Sequence, residues 1–122
     1  MKILNLTQHD ATADQIAAGV LPAGCEKEEV RELLTFDSLP SREWIEAKAQ
    51  ALADVARAHG PLIDAVMIGG APYLMGPLER ALKAQSIKAL YAFSLRESGE
   101  TPDGEGGVRK TMVFKHAGFI EA

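Results

Sequence analysis

The chain has 122 residues, a net charge of −4 and 47% hydrophobic residues, which is enough for one domain with a buried core and too apolar for a disordered chain. That charge argues against a protein that coats DNA or RNA over its whole surface, and no apolar run approaches the roughly 20 residues of a membrane span. Cys25 is the only cysteine, so neither an intrachain disulfide nor a cysteine-based metal cluster is expected.

Taken in chain order, Ile3-Leu4-Asn5-Leu6 reads as a strand that ends abruptly in the polar residues Thr7-Gln8-His9. Thr12-Ala13-Asp14-Gln15 fits a capping box, in which a threonine side chain bonds a free helix amide and the glutamine bonds back, and predicts a short helix ending near Gly19. After a loop at Pro22 and Gly24, acidic residues precede Val30, Leu33 and Leu34 at helical spacing from Glu26 to Leu34. Leu33 to Phe36 is either the end of that helix or a short second strand. The longest helix is expected from about Ser41 to His59, with Ile45, Ala49, Leu52 and Ala56 on one face and Gly60-Pro61 as its stop.

Asp64 to Ile68 reads as the next strand and runs into Gly69-Gly70-Ala71-Pro72. A helix follows from about Pro72 to Gln85, and Pro77 either kinks it or begins it after a preliminary turn. Strands are expected at Ala89 to Leu95 and Val108 to Phe114, and the turn-forming cluster between Glu100 and Gly107 closes them into a hairpin. This order predicts a single Rossmann-like α/β domain over residues 1–122, with a mostly parallel sheet of about five strands and a C-terminal β-hairpin. In such a sheet the strand ends lie side by side at the carboxyl edge, where ligands bind.

Residues 1–61 carry 6 basic and 10 acidic side chains, whereas residues 62–122 carry 7 of each. An anion site is therefore expected from the second half together with the neutral loop after the first strand. His9 is the leading candidate for chemistry, because imidazole exchanges a proton near neutral pH and hydrogen-bonds phosphate, and Thr7 and Gln8 bring a hydroxyl and an amide beside it. Asp10 reads as a solvated loop or capping residue. Gly69, Gly70 and Ala71 let backbone amides approach an anion ahead of an electropositive helix end. The turn is not a Walker loop and lacks the Gly-x-Gly-x-x-Gly pattern of dinucleotide sites.

Ser94 and Arg96 after one strand, and Arg109 and Lys110 opening the next, offer a hydroxyl and cations across the hairpin; the plainer reading is a solvated hairpin whose charges guard an edge. His116, beside Lys115 at the end of the last strand, is a further candidate. His59, in the last turn of the long helix, suits the helix dipole, and Cys25 reads as inert. No spacing suggests a zinc or calcium site.

The Leu6-Thr7-Gln8-His9 strand end, the glycine turn at Gly69-Gly70 and the compact α/β plan together resemble the compact CRISPR-associated Rossmann-fold ring nucleases. That resemblance implies a phosphodiesterase that cleaves cyclic oligoadenylate messengers and so switches off or counters type III CRISPR signalling. It implies that His9 is the catalytic or phosphate-positioning residue and that Gly69 to Ala71 hold phosphate. The lack of a membrane span and of a basic-then-apolar amino terminus predicts the cytoplasm, and the lack of a metal or dinucleotide pattern predicts a reaction without metal or cofactor. Nearly the whole chain also resembles a group of uncharacterised small prophage proteins that share an Asn-Leu-Thr-Gln-His opening, here Asn5 to His9, and a Gly-Gly-Ala-Pro turn, here Gly69 to Pro72. The expected partners are a cyclic oligonucleotide and a second copy of the chain, since a two-fold ligand suits a two-fold dimer. A non-catalytic module that sequesters or senses a nucleotide is the alternative.

Overall fold

The computed structural model describes the backbone of every residue except 103 and 105, and the side chains of all but 99–103, 105 and 108–112. In chain order the elements are β1 (Ile3–Leu6), α1 (Ala13–Ala17), α2 (Lys27–Leu33), α3 (Arg42–Ala58), β2 (Ala65–Ile68), α4 (Pro72–Ala84), β3 (Lys88–Pro102) and β4 (Val108–Glu121). The strands form one sheet in the order β1-β2-β3-β4, with β1, β2 and β3 parallel and β4 antiparallel to β3.

The sheet has four strands rather than about five. Leu33 to Phe36 does not add a strand, because Leu33 is the last residue of α2 and Leu34 keeps helical backbone angles as its C-cap. Leu34 is buried in the main core, and the Thr35 hydroxyl donates to the Arg31 carbonyl at 2.7 Å, so this segment closes a helix. The hairpin strands are also longer than their apolar runs suggest. β3 continues past Leu95 through Arg96 and Glu97 to Pro102, and β4 continues past Phe114 through His116 to Glu121, because each strand satisfies the backbone groups of the other along its length.

Local chemistry sets the helix ends. Thr12 accepts from the Gln15 amide at 3.2 Å while the Gln15 side chain accepts from the Thr12 amide at 3.0 Å, the reciprocal pair of a capping box. Ser41 caps α3 by accepting from the Trp44 amide, and the His59 ring bonds the Val55 carbonyl at 3.0 Å at its far end. α4 begins at Pro72 and runs through Pro77, which deprives the Tyr73 carbonyl of its helical donor.

Alternation along the short strands divides the core into two. Leu4, Leu6, Val66 and Ile68 pack with residues of α2, α3 and α4, among them Val30, Leu52, Leu74 and Leu78. Ile3, Ala65, Met67 and Leu90 form a smaller cluster with Val20, flanked by Ala11 and Phe119. β2 is buried on both faces, as its continuous apolar run requires. The outer edge of β1 is covered by residues 19–21: the Ile3 amide donates to the Gly19 carbonyl at 3.0 Å, and Leu21 donates to Ile3 at 2.8 Å. Gly19 holds φ at 116°, a conformation open to glycine and strained for other residues.

Leu52 has no exposed surface, and Leu39 is 96% exposed. Leu52→Ala is expected to cost about 2–5 kcal/mol, through lost burial and the cavity left behind. Leu39→Ala should stay within about 0.5 kcal/mol of the wild type. Urea unfolding followed by circular dichroism checks both, and equal midpoints for the two variants would contradict this core.

Candidate functional site at the carboxyl edge

The parallel register pairs Leu6 with Ile68, so the chain leaves β1 and β2 at the same level, and Thr7 to His9 emerge beside Gly69 and Gly70. Thr7 lies close enough that its methyl group would meet a Cβ placed on Gly69 at 3.5 Å. Gly70 has φ of 154° and rests over Met75 and Leu34. Its amide donates to no acceptor among the described residues.

The β1 loop is folded by Asn5, whose side chain the sequence reading leaves without a role. Asn5 Oδ1 accepts from the Thr7 amide at 2.9 Å and from the Thr7 hydroxyl at 2.6 Å, while Asn5 Nδ2 donates to the His9 carbonyl at 2.8 Å. An Asn that bonds backbone two and four residues ahead turns the chain tightly. Gln8 Nε2 reaches across to donate to the Thr35 hydroxyl at 2.9 Å and ties the loop to the end of α2. Asp10 is exposed, as a solvated loop residue should be, and it is also ion-paired: Lys27 lies 2.7 Å and Arg31 3.5 Å from Oδ1. The Lys27 ammonium holds the Asp10 carboxyl below its ordinary value, and Arg31 adds to the effect.

These segments enclose a cleft of about 380 Å³. Its walls are Thr7 to Asp10 on one side, Thr12 and Gln15 at the α1 cap on another, and Met67 to Gly70 with Tyr91 and Ala92 below. His9 is exposed on this rim, and its ring makes no hydrogen bond among the described residues. The cleft is thus lined by both an imidazole and a glycine turn whose Gly70 amide has no acceptor among the described residues, a combination that suits a small anionic group. A larger groove of about 730 Å³ over α2 and α3 is lined by Glu28, Glu29, Glu32 and Asp37, which repel an anion. Its Lys48 is already engaged, donating to the Glu32 and Thr35 carbonyls and lying 4.5 Å from the centre of the Phe36 ring.

Of the residues singled out from sequence, Thr7, Gln8, His9, Gly69 and Gly70 meet in this cleft. Ala71 is the N-cap of α4 and packs against the core. Ser94 and His116 are cross-strand partners in the hairpin, and Arg96 lies over the Phe114 ring at 5.4 Å; none of the three lines the cleft. Both ring nitrogens of His116 are sealed without a hydrogen-bond partner, and its ring lies 4.7 Å from that of Phe119. The Lys110 side chain falls outside the described residues. Among the described residues, no three His, Cys, Asp or Glu side chains converge to hold a metal ion, and no helix is long and apolar enough to cross a membrane.

The family model of the uncharacterized protein MJ1673 family matches residues 1–120. The chain belongs to that family. No curated protein and no solved structure matches it. In this MJ1673-family chain the match spans the β1 loop, the glycine turn and the hairpin alike, so the cleft lies wholly within the family's extent.

Two measurements test the site's construction. Asn5→Ala should raise the exchange rate of the Thr7 amide roughly fivefold, the scale of one lost hydrogen bond of about 1 kcal/mol. Asn5→Asp, which keeps the acceptor but loses the donor to His9, should restore most of that protection; unchanged exchange in Asn5→Ala would contradict the turn. Tyr91 donates to Glu79 of α4 at 3.0 Å, and burial, reinforced by that bond and the Glu79 charge, pushes its phenol from 10.0 up to about 12. A raised phenol favours the neutral folded form, so its contribution is complete below pH 10 and is lost as pH rises toward 12. In a Tyr73→Phe background, ultraviolet titration should show one phenol ionising near 12, and Glu79→Gln should lower it.

Proposed function

We propose that this cleft binds one phosphate of a cyclic oligoadenylate and that the protein cleaves the ring without a metal ion, as a Rossmann-like ring nuclease of the cytoplasm acting as a homodimer. The observation that carries this reading is that one cleft is lined both by His9, whose ring has no hydrogen-bond partner among the described residues, and by Gly70, whose amide has none there either. The ribose 2′-hydroxyl attacks the adjacent phosphorus, a new oxygen–phosphorus bond forms, and the bond to the 5′-oxygen breaks. The products are a 2′,3′-cyclic phosphate and a 5′-hydroxyl. His9 takes the proton from the 2′-hydroxyl or delivers one to the departing 5′-oxygen, water completing the transfer, while the Gly70 amide meets charge gathering on the phosphate. Such a reaction needs alignment more than new chemistry, and a cleft within the roughly 300–1,000 Å³ of small-ligand sites supports it.

A nucleotide-sequestering module is favoured by one feature of the same loop. The Thr7 hydroxyl and Gln8 Nε2 are committed to Asn5 and Thr35, Asp10 Oδ1 to Lys27, and among the described residues no side chain hydrogen-bonds the His9 ring to orient it.

Incubation with cyclic di-, tri-, tetra- and hexa-adenylate in EDTA, followed by chromatography and mass spectrometry, separates the two. Cleavage should yield linear products ending in a 2′,3′-cyclic phosphate, and His9→Ala should slow it about 100-fold or more with affinity within a few-fold. Tight binding without linear product would select the sequestering module. Neither binding nor cleavage would overturn both readings.

A further inference from the structure

β2 pairs with β3 only from Lys88 to Leu90, so from Tyr91 outward β3 and β4 form a ribbon of two strands. At about 3.4 Å per residue the 91–102 segment reaches roughly 40 Å. Two strands with no third layer are marginal in water. One face of the ribbon continues the helix side of the sheet, because Tyr91 on that face bonds Glu79 of α4. The register and the single bulge opposite Phe93/Ser94 place Phe93, Leu95, Val113 and Ile120 on this face. Each is about half exposed, at 47, 51, 50 and 55%. The opposite face carries Ser94, Arg96 and His116 around one strongly exposed aromatic, Phe114 at 70%, with Arg96 lying 5.4 Å from its ring centre, so it offers no comparable stripe.

Glu97 and Lys115 share the apolar face, and neither has an ion-pair partner among the described residues. A surface that carries one unpaired charge of each sign beside an apolar stripe is complementary to itself. We propose that this face of the hairpin is the interface with a second copy of the chain, the two ribbons packing about a two-fold axis so that Glu97 of one copy pairs with the partner's Lys115. Isologous contact repeats that ion pair, buries both apolar stripes and gives each ribbon its missing layer. This specifies the surface of the homodimer and rests on the cyclic-nucleotide reading only for the sharing of a ligand between copies.

Light scattering on the full chain at about 50 μM, with no nucleotide present, should report twice the chain mass. Leu95→Lys should give a monomer with unchanged far-ultraviolet dichroism. Should that variant unfold, the charge variants remain: Glu97→Lys and Lys115→Glu should each weaken dimerisation about tenfold, and the double exchange should restore it. A monomeric wild type, charge variants that dimerise like the wild type, or a double exchange that fails to restore the dimer would each overturn the interface. Binding of cyclic oligoadenylate is scored separately, so a dimer that binds none counts against the nucleotide reading alone, and a monomer that binds it counts against the interface alone.

Discussion

The carboxyl edge depends on the parallel register that sets Leu6 beside Ile68. A slip of β1 by one residue against β2 would invert β1, sending Leu4 and Leu6 out of the main core and shifting the histidine loop relative to the glycine turn. Burial fixes the register more firmly than hydrogen bonding does, since all four residues of β2 are buried and two apolar clusters grip alternate side chains. That His9 and Gly70 come to line one cleft is therefore a consequence of packing on both faces of the sheet. Stability and site geometry are here the same constraint.

Asn5 is the next link. It lies within β1, is only partly buried, and spends its whole amide on the loop beyond the strand, so the chain turns at Thr7 instead of running into solvent. Gln8 and Asp10 then pin the far side of the loop to α2 through Thr35, Lys27 and Arg31. His9, between these anchored neighbours, stays exposed at the rim of the cleft. The strand order adds a further point: β1-β2-β3-β4 never reverses, so this cleft does not lie at a switch point, and it is bounded on its open side by the α1 cap at Thr12 and Gln15.

Short strands bounded by polar or glycine residues, the capping box at Thr12 and the stops at Gly19 and Gly60 were legible because each rests on local chemistry. The meeting of Thr7 to His9 with Gly69 and Gly70 was legible from topology. Leu33 to Phe36 was ambiguous because a buried Leu34 is compatible with either element, and what decides is the Leu34 amide bonding back to Val30 and the Thr35 hydroxyl to Arg31. The extent of the hairpin was not legible: polar residues such as Ser94 and Glu97 carry little strand preference, and cross-strand pairing holds them extended. Asn5 had a local signal, an Asn two residues before a Thr at a strand end, whereas the contacts of Gln8 with Thr35 and of Asp10 with Lys27 join segments that no local pattern links.

Among the described residues the cleft has no Lys or Arg in its lining, and the one carboxylate there, Asp10, is offset by cations on α2. Attraction for an anion at its centre must then come from backbone dipoles and from His9, which act over short range and favour a single phosphate over a long polyanion. The chain's negative charge works in the same direction, discouraging bulk nucleic acid while leaving a local site intact. In the proposed reading, the remaining phosphates of a ring lie outside this lining and need cations from elsewhere. Arg96 stands on the ribbon face opposite the proposed interface, so pairing through the apolar stripe leaves it uncovered. Recognition of a ring would thus divide between a neutral cleft that holds the phosphate being cut and more distant cations that hold the rest.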